Sequence, residues 1–152
     1  MGELEAFQFV FTGEMMDDRN PSYIEEIKGY MEDPEIAGNI LNLGFLSRGE
    51  QLAVMKNAKM LIQPSLFEGW GTVLEDAKVL DKLVVLSDIP VHREQKNQNC
   101  ILFSPKDGRS LAKAILEMNQ RTHEDHVEQG LADMRKRASA YGNRLAQLLL
   151  QD

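Results

Sequence analysis

The chain has 152 residues, of which 43% are hydrophobic and 27% charged, the composition of an ordinary globular protein. Its formal charge of −7 argues against a nucleic-acid partner, because phosphate backbones are bound by clustered Lys and Arg. No apolar run reaches the roughly 20 residues of a membrane-spanning helix. Cys100 is the only cysteine, which excludes an internal disulfide and predicts a reducing, cytoplasmic compartment.

Short apolar runs alternate with longer amphipathic stretches, a pattern typical of a parallel sheet covered by helices. The predicted strands, in chain order, are residues 7–11, 40–43, 60–63, 83–86 and 101–103. The predicted helices are residues 22–31, 48–57, 72–80 and 109–118. We therefore expect a doubly wound parallel α/β domain over residues 1–121, with residues 122–152 as its C-terminal helical extension.

Two local signals refine this outline. Ser47 and Glu50 have the spacing of a capping box, which predicts that the second helix begins just after Ser47. In the C-terminal extension an apolar residue recurs every three or four positions, at Leu131, Met134, Ala138, Tyr141, Leu145 and Leu148. This stripe predicts a packed helix face, and Gly130 and Gly142 predict a break or kink within it.

The segment from Pro64 to Asp76 is the clearest indication of function. An apolar strand leads into a glycine-rich turn and then into a helix, so the main-chain N–H groups from Gly69 to Thr72 are expected at a helix start. Such a terminus attracts phosphate, because unpaired amides and the helix dipole both favour negative charge. Open parallel sheets also bind their ligands beyond the carboxyl ends of the strands, where this turn is expected.

This segment resembles the donor-binding, C-terminal half of a group 1 (family 4) retaining glycosyltransferase of the GT-B fold. The motif residues that match are Pro64-Ser65, Glu68, Gly69-Trp70-Gly71 and Asp76. Flanking segments also resemble the family, at residues 44–47, 87–95 and 102–107, so the likeness covers roughly residues 7–118. The resemblance implies a Rossmann-like domain that is one half of a two-domain enzyme.

The resemblance also implies a nucleoside diphosphate sugar as donor. Glu68 would be the catalytic residue and contact the sugar hydroxyls, the amides of Gly69 to Thr72 would hold the distal phosphate, and Phe45 and Leu46 would lie near the base. The full set of implied donor-binding residues is Phe45, Leu46, Ser65, Gly69, Trp70, Gly71, Thr72, Glu75 and Asp76. Asp76 is favoured over Glu75 for the ribose, since it lies eight positions after Glu68.

No metal and no further cofactor are expected. His123 and His126 have helical spacing, but a surface face is favoured for them because no third ligand accompanies them. The family usually places a diphosphate-binding Arg and Lys after the first strand of this domain, whereas residues 12–19 are acidic here. We therefore expect that the first strand and the N-terminal domain, which would bind the acceptor, precede Met1, and that the chain alone is inactive.

The expected function is transfer of a sugar, with retention, to an acceptor glycan or lipid-linked saccharide in polysaccharide biosynthesis. The expected enzyme has no integral membrane segment, and a peripheral contact at the inner membrane face stays open. An epimerase or phosphorylase of the same fold is the alternative enzyme, and a flavodoxin-like or receiver module is the non-enzymatic one. A receiver needs an Asp after the third strand, where this chain has Gln63-Pro64-Ser65.

Two side-chain roles stay open from the sequence alone. Residues 92–94 either line the cleft or form a solvated loop. Trp70 either packs against the glycine-rich turn, which is favoured, or forms a lip beside the sugar.

Overall fold

The computed structural model describes residues 7–16, 20–121 and 127–149. The strands are β1 (Phe9–Phe11), β2 (Ile40–Asn42), β3 (Leu61–Gln63), β4 (Val84–Ser87) and β5 (Cys100–Phe103). The helices are α1 (Pro21–Met31), α2 (Arg48–Asn57), α3 (Thr72–Val79), α4 (Pro90–Gln95), α5 (Gly108–Asn119) and α6 (Val127–Leu149), and a 3₁₀ turn spans Ala37–Asn39. The alternation of parallel strands and helices confirms the predicted Rossmann-like α/β class with a helical C-terminal tail.

The strands form two parallel ladders, and the chain divides into two compact units, residues 1–54 and 55–152. In the first unit β1 pairs with β2, and beyond the strands the N–H of Gly13 donates to the carbonyl of Gly44 at 2.7 Å. Both glycines have positive φ, at 108° and 63°, which glycine adopts at little steric cost. The capping box is confirmed, since the Ser47 N–H donates to the Glu50 carboxylate at 2.8 Å and the Glu50 N–H to the Ser47 hydroxyl at 3.4 Å.

The second unit is built on the sheet β3-β4-β5, with β4 in the centre and buried along its whole length. Its core is a cluster in which α3 packs on the sheet, formed by Leu74, Ala77, Val84 and Leu86. Cys100 packs against this cluster, and burial raises the pKa of its thiol. A partly buried thiol with a raised pKa is less reactive than a free cysteine.

The turn that ends α3 is stabilised by a side-chain hydrogen bond. Asp81 has φ 51°, in the left-handed region that glycine enters more easily than any other residue. The side-chain amide of Asn99, itself buried, donates to Asp81 Oδ1 at 2.8 Å. An aspartate at this position therefore makes a tertiary hydrogen bond that glycine could not make.

The C-terminal helix differs from its prediction. The break expected at Gly130 or Gly142 does not occur, because α6 contains both residues in one run. Gly130 is buried where α6 packs on α3, and an added Cβ there would lie 2.3 Å from the carbonyl oxygen of Val79. Gly130 thus permits a close helix approach. His123 and His126 lie outside the described residues.

A second difference is α4, a short helix in a segment for which no helix was predicted. Pro90 stands in its first turn, where a missing N–H has no consequence. Among the described helices, none is long and apolar enough to cross a bilayer.

The two glycines of α6 give a matched test of this packing. Gly130→Ala is expected to lower the free energy of unfolding by about 1–2 kcal/mol, since overpacking against the Val79 carbonyl outweighs the gain in helix propensity. Gly142→Ala, where an added Cβ would meet no atom within 4 Å, is expected to raise it by up to about 1 kcal/mol. Urea denaturation of the two variants measures both effects, and equal stabilisation by both would contradict the close approach.

Candidate functional site

The candidate site lies at the carboxyl ends of β3 and β4, in the second unit. Gln63 ends β3, Ser87 ends β4, and the two strands are parallel neighbours. The segment from Pro64 to Gly71, here called the elbow, joins β3 to α3. The Ser87 hydroxyl donates to the main-chain carbonyl of Ser65, which ties the start of the elbow to the end of β4.

Glu68 is the one acidic residue of the elbow, and hydrogen bonds fix its carboxylate. The side-chain amide of Gln63 donates both to Glu68 Oε1 and to the Ser65 hydroxyl. Burial alone would raise the pKa of Glu68, but hydrogen bonds from Ser65 and Gln63 and the neighbouring His92 together bring it below its ordinary value of 4.5. The side chain is 15% exposed. Glu68 is therefore an ionised carboxylate that is held in one orientation and reachable from one side.

The helix α4 presents two side chains beneath the elbow. His92 and Gln95 are one turn apart on the same helix face, and they are 0% and 3% exposed, respectively. Arg93 and Glu94, on the other face, are exposed, and Arg93 pairs with Asp88. The solvated-loop interpretation of residues 92–94 is therefore wrong for His92, which contacts the elbow from within the protein.

Gln95 fixes the last residue of the elbow through the main chain. Its Oε1 accepts from the Gly71 N–H at 3.0 Å, and its Nε2 lies 3.4 Å from the Gly71 carbonyl oxygen. The same Nε2 donates to Glu75 Oε1 at 3.1 Å. The Gly71 amide is thus already paired inside the protein, and in this arrangement it cannot donate to a bound phosphate.

The start of α3 keeps free donors. Gly71 is the N-cap and provides no side-chain cap. Within the described part of the chain, the N–H groups of Thr72 and Val73 have no hydrogen-bond acceptor, whereas the Leu74 N–H donates to the Gly71 carbonyl. Thr72, an expected phosphate contact, thus has an available N–H, as does Val73, which sequence reasoning did not include; phosphate binding by these amides stays a prediction.

The two acids in the first turns of α3 differ in what they contact. Glu75 Oε1 accepts from Lys78 Nζ at 2.6 Å as well as from Gln95. Glu75 is thus engaged in holding the elbow, while the assignment of the ribose to Asp76 rests on the motif spacing. That role of Asp76 stays a prediction.

The aromatic residue of the motif is not in the core. Trp70 is 55% exposed, and its neighbours Phe67 and Leu66 are 88% and 56% exposed. The packing role favoured for Trp70 does not fit this exposure. More than half of the Trp70 surface is exposed, and a lip beside the sugar stays a prediction.

Phe45 and Leu46 belong to the first unit. Phe45 is 76% exposed and lines an open pocket of about 340 Å³. The pocket lies beyond the ends of β1 and β2, and the residues that line it are Gly13, Glu14, Met15, Met16, Asn42, Gly44 and Phe45. Leu46 is half-buried and is not among them. The pocket is of a size that could take a flat ring against Phe45, and the contact with a nucleobase stays a prediction.

In the described ranges, no group of three His, Cys, Asp or Glu residues is close enough to hold a metal ion. The expectation that the reaction needs no metal stays a prediction, as does the position of the diphosphate-binding Arg and Lys.

Gly71 and Gly69 provide a matched pair for the elbow. An alanine Cβ at Gly71 would lie 2.8 Å from Glu68 Oε2 and 3.0 Å from Gln95 Oε1, whereas at Gly69 it would meet nothing within 4 Å. We expect Gly71→Ala to lower the free energy of unfolding by about 1–2 kcal/mol, and Gly69→Ala to change it by less than about 0.5 kcal/mol. Chemical denaturation measures both, and equal effects would contradict the crowding at Gly71.

The anchoring of Glu68 predicts a pH-dependent contribution to stability. Because its folded pKa is depressed, Glu68 stabilises the fold above its ordinary value of 4.5, and this contribution is lost as the pH falls through the lower folded pKa. The difference in unfolding free energy between the unaltered chain and Glu68→Gln is therefore expected to shrink between about pH 6 and pH 3. Glu94→Gln, on the exposed face of α4, is the control. A pH-independent difference for Glu68→Gln would show that its carboxylate is not ionised preferentially in the folded state.

The chain is similar to known proteins. The family model described as glycosyl transferases group 1 matches residues 3–143. The O-antigen chain mannosyltransferase RfbU of Salmonella typhimurium (strain LT2) is 28% identical to this chain over 98 residues, which are 64% of this chain and 28% of that protein. The chain thus spans less than a third of the length of this relative. Because the family match covers most of its residues, the chain belongs to the group 1 glycosyltransferases.

Proposed function

We propose that this chain is the donor-binding half of a retaining glycosyltransferase, which moves a sugar from a nucleoside diphosphate sugar to an acceptor glycan or lipid-linked saccharide. The observation that carries the proposal is the uncapped start of α3 beside an ionised, anchored Glu68. The proposed mode of binding places the diphosphate at the amides and the sugar at the carboxylate.

The N–H groups of Thr72 and Val73 supply the phosphate contacts. They have no acceptor within the described residues, and they lie at the positive end of the α3 dipole. As the bond between sugar and phosphate breaks, negative charge accumulates on the leaving diphosphate. Amide donors that are already oriented stabilise this charge without reorganisation, which is the contribution we assign to this domain.

Glu68 and Asp76 supply the hydroxyl contacts. A carboxylate accepts from two neighbouring hydroxyl groups at once, and Glu68 still has an accessible edge after its bonds to Gln63 and Ser65. Asp76 takes the ribose. Trp70, which is half-exposed, borders the sugar.

We infer the sugar and the acceptor from the relative. The relative is named a mannosyltransferase of the O-antigen chain, so mannose is the first sugar to test and a growing polysaccharide the first acceptor. We assign the acceptor contacts to a second domain outside this chain, the cationic partners of the diphosphate to the first strand of this domain, and the compartment to the cytoplasm.

The test of donor binding is a thermal-shift and calorimetry panel of UDP, GDP, ADP and their sugars, with GDP-mannose included. A ligand that binds only the folded chain raises its melting temperature by mass action. One nucleoside diphosphate and its sugar are expected to do so, and Asp76→Asn is expected to weaken both. Glu94→Gln, on the exposed face of α4, serves as the control that leaves both unchanged.

Thr72 permits a sharper test of the phosphate contact. Thr72→Pro removes both the threonine side chain and the N–H at the first position of α3, where proline is tolerated, while Thr72→Ala removes the side chain and keeps the N–H. Thr72→Pro is expected to weaken nucleoside diphosphate binding by about tenfold, the value of one charge-assisted hydrogen bond, and Thr72→Ala by less than about twofold. Equal affinities in the two variants, both folded by circular dichroism, would place the phosphate elsewhere.

A further inference from the structure

The hydrogen bonds of His92 determine which of its ring nitrogens carries a proton. Nδ1 lies 2.8 Å from the Ser87 carbonyl oxygen and 3.1 Å from the Ser87 hydroxyl oxygen. That hydroxyl already donates its proton to the Ser65 carbonyl, so toward His92 it can only accept. Both contacts therefore require a proton on Nδ1, and in a neutral ring Nε2 carries none.

The other ring nitrogen points at Glu68. Nε2 lies 3.6 Å from Glu68 Oε2, is buried, and has no hydrogen-bond partner among the described residues. In a neutral ring a bare lone pair on the buried Nε2 would face an anionic oxygen, and the desolvation of Nε2 would go uncompensated. A proton on Nε2 turns this contact into an ion pair in a buried setting, where attraction between charges is stronger than in water.

We propose that His92 is a positioning residue for the donor sugar: as an imidazolium beneath the elbow, it holds the Glu68 carboxylate in the orientation that receives the sugar hydroxyls. This inference rests on the proposed role of Glu68 in sugar binding. His92 itself is 0% exposed, so it acts through Glu68 and does not touch the donor.

Two other carboxylates of this region are bound by cationic side chains. On α3, Glu75 is bound by Lys78 and Gln95. Beyond β4, Asp88 is bound by Arg93, which is on α4 with the exposed Glu94. Glu68, with Oε2 at 3.6 Å from Nε2, is the carboxylate that faces His92.

A pH dependence of sugar recognition follows. When the pH rises and the ring loses its Nε2 proton, Glu68 loses its counter-ion, and the affinity gained from the sugar is expected to fall. When the pH falls and Glu68 becomes protonated, that gain is lost as well. The ratio of nucleotide-sugar affinity to nucleotide affinity is therefore expected to be bell-shaped in pH, as for an essential acid and base acting together.

The ion pair is tested first without any ligand, by ¹⁵N NMR of the histidine side chains in the unaltered chain and in Glu68→Gln. The His92 ring is expected to carry a proton on both nitrogens in the unaltered chain, and to keep the Nδ1 proton but lose the Nε2 proton in Glu68→Gln. Identical ring spectra in the two proteins, or a neutral ring protonated at Nε2, would overturn the proposal.

Two substitutions then separate the positioning role from a structural one. In His92→Asn the amide nitrogen takes the place of Nδ1 and keeps the bond to Ser87, but nothing reaches Glu68. In His92→Gln the amide takes the place of Nε2 and reaches toward Glu68 without a charge. Both are measured by calorimetry with GDP-mannose and GDP, or with whichever pair of the panel binds, between about pH 5 and pH 8.

His92→Asn is expected to weaken nucleotide-sugar binding by about tenfold and nucleoside diphosphate binding by less than about twofold, with no remaining bell shape. His92→Gln is expected to restore part of the affinity but not the pH dependence. An equal loss for nucleotide and nucleotide sugar, or a bell shape that persists in His92→Asn, would refute the role of His92 and leave the proposed function intact. If no nucleotide of the panel binds the unaltered chain, the proposed function itself fails, together with the role of His92 that rests on it.

Discussion

Two buried polar side chains of α4 hold the elbow in place, and the arrangement of the site depends on them. Gln95 pairs with both main-chain groups of Gly71, and His92 lies between Ser87 and Glu68. Gly71 must lack a Cβ, because Glu68 and Gln95 converge on it. A turn rich in glycine has high conformational entropy when unfolded, so directed hydrogen bonds of this kind are what give it one conformation in the folded chain.

This anchoring leaves some main-chain amides paired inside the protein and others unpaired. The amide of Gly71 is used inside the protein, while the amides at the start of α3 are left for a ligand. In the binding mode we propose, these amides let a chain with a formal charge of −7 bind a polyanion. In the arrangement we propose, the protonated His92 ring compensates the negative charge that Glu68 would place near a bound anion.

How much of this was predictable is clearest from individual elements. The hydrophobic runs placed each strand to within a few residues, and the Ser47 and Glu50 pair placed the start of α2, since such signals depend on near neighbours in the chain. The helix α4 was missed, although Pro90 and the spacing of His92 and Gln95 were local signals that could have found it. Trp70 was misjudged because exposure depends on what surrounds a residue in space.

The sequence by itself determined the fold class, the family and the turn at which an anion is expected, because periodicity and a motif of fixed spacing are properties of consecutive residues. Only the tertiary structure decided that the Gly71 N–H donates to Gln95, that Glu75 also binds Gln95, and that His92 faces Glu68. It also decided that Gly130 lets the end of α3 approach α6 closely and does not break α6. Each of these depends on residues brought together from different elements, and the distances between them are set by packing, which no local pattern encodes.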